Sequence, residues 1–162
     1  MEQLPLITLA VEGAVVERIR SRLDEKAPEG SRCPCCDRMY KEYRRALNAD
    51  QARVLILLCR EYLKMEPKSW VDIRTIQIRG GDYAKLIHWG LAENMNNEDP
   101  AKRSSGMWRP TPSGLTFAKG HSRQPSHVRI LDNRERGFST TTVNVWQALG
   151  KKFNFGELWN GE

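Results

Sequence analysis

The chain has 162 residues, 40% of them hydrophobic and 28% charged, enough for one compact domain or two small modules sharing a core. Its longest apolar run, Val54-Leu55-Ile56-Leu57-Leu58-Cys59, is far shorter than the about 20 residues a membrane-spanning helix needs, and mean hydropathy is −0.61. Lys and Arg number 26 against 20 Asp and Glu, a net charge of +6 and a pI near 9.3, which favours partners that carry phosphate.

The first residues, Met1-Glu2-Gln3-Leu4-Pro5, lack a basic stretch, and Glu12 and Glu17 interrupt the apolar residues after them. A secretory leader is therefore not expected, and a cytoplasmic location is. Residues 1–47 carry 9 basic and 8 acidic side chains, residues 48–120 carry 11 and 8, and residues 121–162 carry 6 and 4. With no basic tail, any surface for nucleic acid has to be assembled by folding.

In chain order, the first element reads as a helix. Leu9, Val11, Val15, Val16, Ile19 and Leu23 recur near a 3.6-residue period, Gly13 weakens the pattern, and Pro28-Glu29-Gly30 ends it. Arg32-Cys33-Pro34-Cys35-Cys36-Asp37-Arg38 comes next as a tight irregular stretch, leading into the basic residues Lys41, Arg44 and Arg45.

Asn48 with Gln51 three residues on is a capping-box pattern, and it opens the clearest helix of the chain. Ala52, Leu55, Ile56, Cys59, Tyr62 and Leu63 give that helix a broad apolar face, and Pro67 stops it. Trp70 to Ile73 reads as a short extended piece. Asp82 to Trp89 turns helical again, with Arg79-Gly80-Gly81 as the lead-in turn and Asp82 as N-cap. Tyr83, Leu86 and Ile87 lie to one side, and Gly90 occupies the left-handed C-terminal position. Leu91-Ala92-Glu93 and Met107-Trp108-Arg109 read as strands around a polar turn, and Thr111-Pro112 caps a last short helix.

Beyond residue 120 the chain reads as a small appendage. His127–Leu131 and Arg136–Phe138 flank Asp132–Glu135 as a hairpin. Asn144 with Gln147, and Asn154 with Glu157, repeat the capping spacing and predict short helices near 145–149 and 155–159. Trp146, Phe153, Phe155, Leu158 and Trp159 are their anchors. The expected domains are thus 1–47, an N-terminal helix and cysteine knuckle; 48–120, the central domain; and 121–162, a hairpin with short helices.

The four cysteines carry the sharpest chemical signal. Cys33 and Cys36 stand at C-x-x-C spacing, at which a knuckle directs two thiolates to one zinc ion, and Arg32 and Arg38 would ease thiol ionisation. A structural site needs four donors, and no second C-x-x-C exists. Cys35, Asp37, His88, His121 and His127 are the candidates to complete it, and Cys59 belongs to the apolar helix. The alternative is a tight turn of reduced thiols. No Walker loop, G-x-S-x-G or H-E-x-x-H motif is present, so a non-enzyme is expected.

The element order is that of a winged helix-turn-helix. Trp89-Gly90-Leu91-Ala92-Glu93, then Trp108-Arg109-Pro110-Thr111-Pro112-Ser113-Gly114, resembles the recognition-helix exit, wing and closing helix of MarR- and PadR-like regulators. The resemblance covers residues 48–118, and Thr75-Ile76-Gln77-Ile78, short and β-branched, implies an abbreviated second helix. Over residues 32–158 the chain is also similar to a set of tailed-bacteriophage proteins. That likeness rests on Cys33-Pro34-Cys35-Cys36, Tyr43-Arg44-Arg45-Ala46-Leu47-Asn48, Tyr83-Ala84-Lys85-Leu86, Trp108-Arg109-Pro110-Thr111 and the stretch from Ala148 to Asn154. It implies phage origin, a host-cell cytoplasmic setting and a winged α+β architecture, and no particular activity.

On this reading Arg79, Gly80, Tyr83, Lys85, His88, Lys102 and Arg103 are the candidates for contact with double-stranded DNA. Side chains near the start of a recognition helix reach base edges, and a wing meets phosphate. Asp82, Glu98 and Asp99 weigh against tight contact. The expected function is a DNA-binding transcriptional regulator, as a monomer or homodimer. The alternative is a protein that grips and inhibits or redirects a host protein, because winged helices also serve as protein-contact modules.

Overall fold

A computed structural model describes residues 6–78 and 80–161. The chain is an α+β protein of several helices and antiparallel sheets. In order it forms α1 (Leu6–Lys26), β1 (Ser31–Arg32), β2 (Met39–Tyr40), β3 (Tyr43–Ala46), α2 (Ala49–Lys64), β4 (Val71–Asp72), a 3-10 turn η1 (Ile73–Thr75) and a 3-10 helix η2 (Asp82–Trp89). Then come β5 (Ala92–Asn94), β6 (Met107–Pro110), α3 (Pro112–Ala118), β7 (Gln124–Pro125), β8 (His127–Leu131), β9 (Arg134–Phe138), β10 (Thr142–Val143), α4 (Val145–Leu149) and α5 (Phe155–Asn160). Among the described residues no helix is long and apolar enough to cross a membrane.

These elements divide into two compact units. One takes the described residues up to 44 together with 129–136, and the other takes 45–128 with 137–161. Residues 121–162, expected as one appendage, are therefore shared between them. In the first unit the hairpin β1–β2 is antiparallel, with Ser31 opposite Tyr40 and Arg32 opposite Met39. The Tyr40 hydroxyl donates to Asp24 at 2.7 Å, and the Glu42 N–H donates to the Ala27 carbonyl at 2.8 Å, fastening the hairpin to the end of α1. Val15 and Val16 on α1 remain exposed. Asp132 and Asn133 both have positive φ (49° and 59°), the twist a two-residue turn between antiparallel strands requires.

The second unit is built on α2. Asn48 accepts the Gln51 N–H at 3.0 Å, and the Gln51 side chain accepts the Asn48 N–H at 3.0 Å, completing the capping box. Every residue from Val54 to Cys59 is buried, so α2 is enclosed almost all round rather than on one face. η2, β6 and α3 pack on α2, and the C-terminal helices α4 and α5 add to that cover. Val145 and Leu149, both essentially inaccessible, are the anchors of α4. The aromatics expected in that role lie further out, with Trp146 48% exposed.

A three-stranded antiparallel sheet in the order β4-β6-β5 lies beside α2. Val71 pairs with Trp108, and Ala92 with Pro110. Its exit into α3 is tightly made. Thr111 caps α3 by accepting the Gly114 N–H at 3.0 Å, and its hydroxyl donates to the Gly90 carbonyl at 2.6 Å. Gly114 sits so close to the backbone that a Cβ there would lie 1.9 Å from the Leu91 oxygen.

Candidate nucleic-acid interface

Between Ile76 and Asp82 the chain rises to η2 through exposed Gly80, whose φ of 77° suits glycine. Arg79, a predicted contact, lies outside the described residues. The helix beyond it is wound as a 3-10 helix, and this changes which side chains share a face. At three residues per turn Tyr83, Leu86 and Trp89 align. Leu86 and Trp89 are buried, and Tyr83 stacks edge-on against Trp108 with ring centroids 5.2 Å apart. Ile87, expected beside Leu86, is instead 40% exposed.

The N-cap of η2 is Gly81 rather than Asp82, and no side chain caps it. Asp82 is the first helical residue, and its carboxylate pairs with Lys85 one turn on. The Lys85 ammonium, with a lesser contribution from Arg45, holds the Asp82 carboxyl below its usual range. Gly90 takes the left-handed conformation at φ 63°, with its N–H returned to Ile87 at 2.9 Å. Trp89 donates its indole N–H to the Pro125 carbonyl at 2.8 Å. The helix is thus fixed at its far end, and His88, beside the buried Trp89, is half-buried.

The turn joining β5 to β6 is internally braced. Asn97 donates to the Lys102 carbonyl, Asp99 accepts the Ala101 N–H at 3.0 Å, and Ser105 donates to the Met95 carbonyl at 2.7 Å. Lys102 lies 3.2 Å from Asp99, while the Arg103 side chain is exposed. At the base of the turn Arg109 pairs with Glu93 and lies 4.3 Å over the Trp70 ring. Gly80, Tyr83, Lys85 and His88 therefore belong to one short segment, and Lys102 and Arg103 to the turn between β5 and β6, all in the second unit.

Two residues with no expected contact role shape this region. Gln51, 1% exposed, donates its side-chain amide to the Asp82 carbonyl at 3.1 Å, tying α2 to the start of η2. Arg45 adds positive charge near Asp82. For Gln51 the capping spacing was a signal, but only of its local bond. Arg45 was visible only as part of a basic run.

The expected zinc site is not formed. Among the described residues no group of three or more His, Cys, Asp or Glu side chains is placed to hold a metal ion. Cys33 and Cys36 share a turn, but Arg32 engages the Asp37 carboxylate at 3.0 Å, and Cys59 is wholly buried in α2. Two thiols fall short of the four donors a structural zinc site requires. Compared with known protein families, curated proteins and solved structures, the chain matches none.

Proposed function

We propose that the second unit is a winged-helix module that binds double-stranded DNA as a non-catalytic regulator. The observation that carries this reading is the strand order β4-β6-β5, with η2 between β4 and β5 in sequence and the 95–106 turn joining β5 to β6. A winged helix-turn-helix has that connectivity, with η1 as its abbreviated second helix, η2 as its recognition element and the 95–106 turn as its wing. Charge supports it. The second unit carries 15 basic against 10 acidic residues in sequence, whereas the first carries 11 against 10.

The pairs Lys85–Asp82 and Lys102–Asp99 do not oppose this reading strongly. Exposed ion pairs are worth about 0–1 kcal/mol, so an arriving phosphate can take over the cation. Ile87, exposed on η2, favours the second reading: a module that grips another protein through the same surface.

The test is anisotropy of random duplex DNA over a salt series, with the wild type and the double variant Lys85→Glu, Arg103→Glu. The expected result is affinity at about micromolar or tighter for the wild type, falling linearly with salt on logarithmic axes. The variant should lose about tenfold or more and show a flatter slope, since each lost phosphate contact removes about 0.9 from it. Absence of binding at low salt would remove the DNA reading. A stoichiometric protein partner in its place would support the second one.

A further inference from the structure

The turn between β1 and β2 holds three cysteines in six residues, and none of them serves the surface described above. Cys35 and Cys36 are exposed and Cys33 is half-exposed. The turn is tightly closed: the Cys33 N–H donates to the Arg38 carbonyl at 2.9 Å, and the Asp37 N–H donates to the Cys33 carbonyl at 2.8 Å. Asp37 takes a left-handed φ of 56° to allow this, and Arg32 holds it from the other side through its carbonyl and its carboxylate, each at 3.0 Å. The backbone N–H groups of Cys35 and Cys36, then the Cys36 thiol, stabilise negative charge on the Cys33 sulfur and hold its pKa below the ordinary thiol value.

We infer that this turn is a thiol–disulfide exchange site for small aliphatic disulfides, with Cys33 as nucleophile and Cys36 as resolving thiol. Residues 33 and 36 lie three apart within the five-residue turn that the Asp37 N–H closes on the Cys33 carbonyl, a helical spacing at which Cβ atoms stand about 5–6 Å apart, and disulfides span Cα distances of about 4.4–6.8 Å. A bond between adjacent Cys35 and Cys36 would strain the peptide joining them, and Cys33 with Cys35 is separated only by Pro34, whose φ is locked. Geometry therefore selects the 33–36 pair.

In the first step the Cys33 thiolate attacks one sulfur of the disulfide RSSR, the S–S bond breaks, and RS⁻ leaves and takes a proton from water. The Cys36 thiol then gives its proton to water and attacks the Cys33 sulfur, expelling the second RS⁻, which is protonated in turn. The dithiol loses two electrons to RSSR, which ends as two RSH.

The test treats the reduced full chain with oxidised glutathione, quenches with iodoacetamide, and maps the tryptic peptide of residues 33–38 by mass spectrometry. The expected peptide is lighter by two hydrogens, linked between Cys33 and Cys36, with Cys35 carrying the only alkyl group. Cys36→Ser should stop at a glutathione mixed disulfide on Cys33, and Cys33→Ser should slow glutathione release about tenfold or more. A peptide alkylated at all three cysteines, a linkage that includes Cys35, or a mixed disulfide on Cys35 in Cys36→Ser would each overturn the assignment.

Discussion

The side-chain amide of Gln51 donates to the main-chain carbonyl of Asp82 at 3.1 Å, joining residues 31 positions apart in sequence. Gln51 is at once the N3 residue of the α2 capping box and the anchor for the start of η2. One buried amide thus sets the position of the proposed recognition helix against the core helix. Its three hydrogen-bonding partners are the Asn48 N–H, the Asn48 side chain through its own N–H, and Asp82.

Replacing Gln51 with Leu keeps the size but leaves the Asn48 N–H and the Asp82 carbonyl without their partner. The expected cost is about 1–3 kcal/mol in a urea titration. Amide hydrogen exchange at the end of η2 and its cap, Ile87 to Leu91, should accelerate more than that in α3. Equal acceleration in both would show that Gln51 supports the core generally and does not position η2.

Gly114→Ala brings a methyl group against the Leu91 backbone, which already accepts the Thr111 N–H at 3.1 Å and cannot withdraw cheaply. The expected loss is about 1–3 kcal/mol or more. Gly13 lies inside α1 with nothing within 4 Å of the position a methyl would take, and Gly13→Ala should raise helix stability by about 0.5–1 kcal/mol. Denaturation midpoints of the two variants moving in the same direction would contradict this.

Asp72 caps η1 by accepting the Arg74 N–H at 3.0 Å, and it receives the Arg74 guanidinium on both oxygens. The Arg74 side chain first, then its N–H, hold the carboxyl down to about 2 from an ordinary value of 3.8. Because the folded value is depressed, the stabilisation is fully present above pH 3.8 and is lost as pH falls through about 2. Arg74→Gln should move the Asp72 titration, read by carboxyl-carbon NMR, up toward 3.8. An unmoved titration would mean that the N–H bond alone depresses it.

Burial pushes the Cys59 thiol up to about 12, and no solvent reaches it. In the folded protein it should resist iodoacetamide at neutral pH, and it should react only across the unfolding transition of the second unit. Cys33, whose thiolate is favoured, should be alkylated well before that transition. Alkylation of Cys59 at the same rate in native buffer would contradict the enclosure of α2.

The short-range features were legible because they are local. Asn48 and Asn144 each exchange both capping bonds with a Gln three residues on, and the two C-terminal helices occupy the positions their caps predict. Thr111 and Gly90 likewise depend on backbone conformations that single residues favour, whereas the hairpin loop expected over Asp132–Glu135 is a two-residue turn at Asp132-Asn133, with β9 starting at Arg134. The order of elements from α2 to α3 followed from these signals, whereas β1, β2, β3, β7 and β10, two to four residues each, carried no local signal, and the pairing order β4-β6-β5 came only from the tertiary structure.

The winding of η2 was not legible, because Tyr83, Leu86 and Trp89 stand three apart, a spacing that helices of either period place on neighbouring positions; the Tyr83–Trp108 contact and the bond from Gln51 come from outside the segment. The cysteine spacing showed two thiols on one turn but could not show that no further donors converge there. Sequence alone determined caps, turns and the cationic balance, since each depends on neighbours within a few positions. Only the tertiary structure decided that α2 is buried without a break from Val54 to Cys59, that residues 129–136 join the first unit, and that Ile87 faces outward. Burial is set by what packs from distant parts of the chain, and a local pattern carries no record of that.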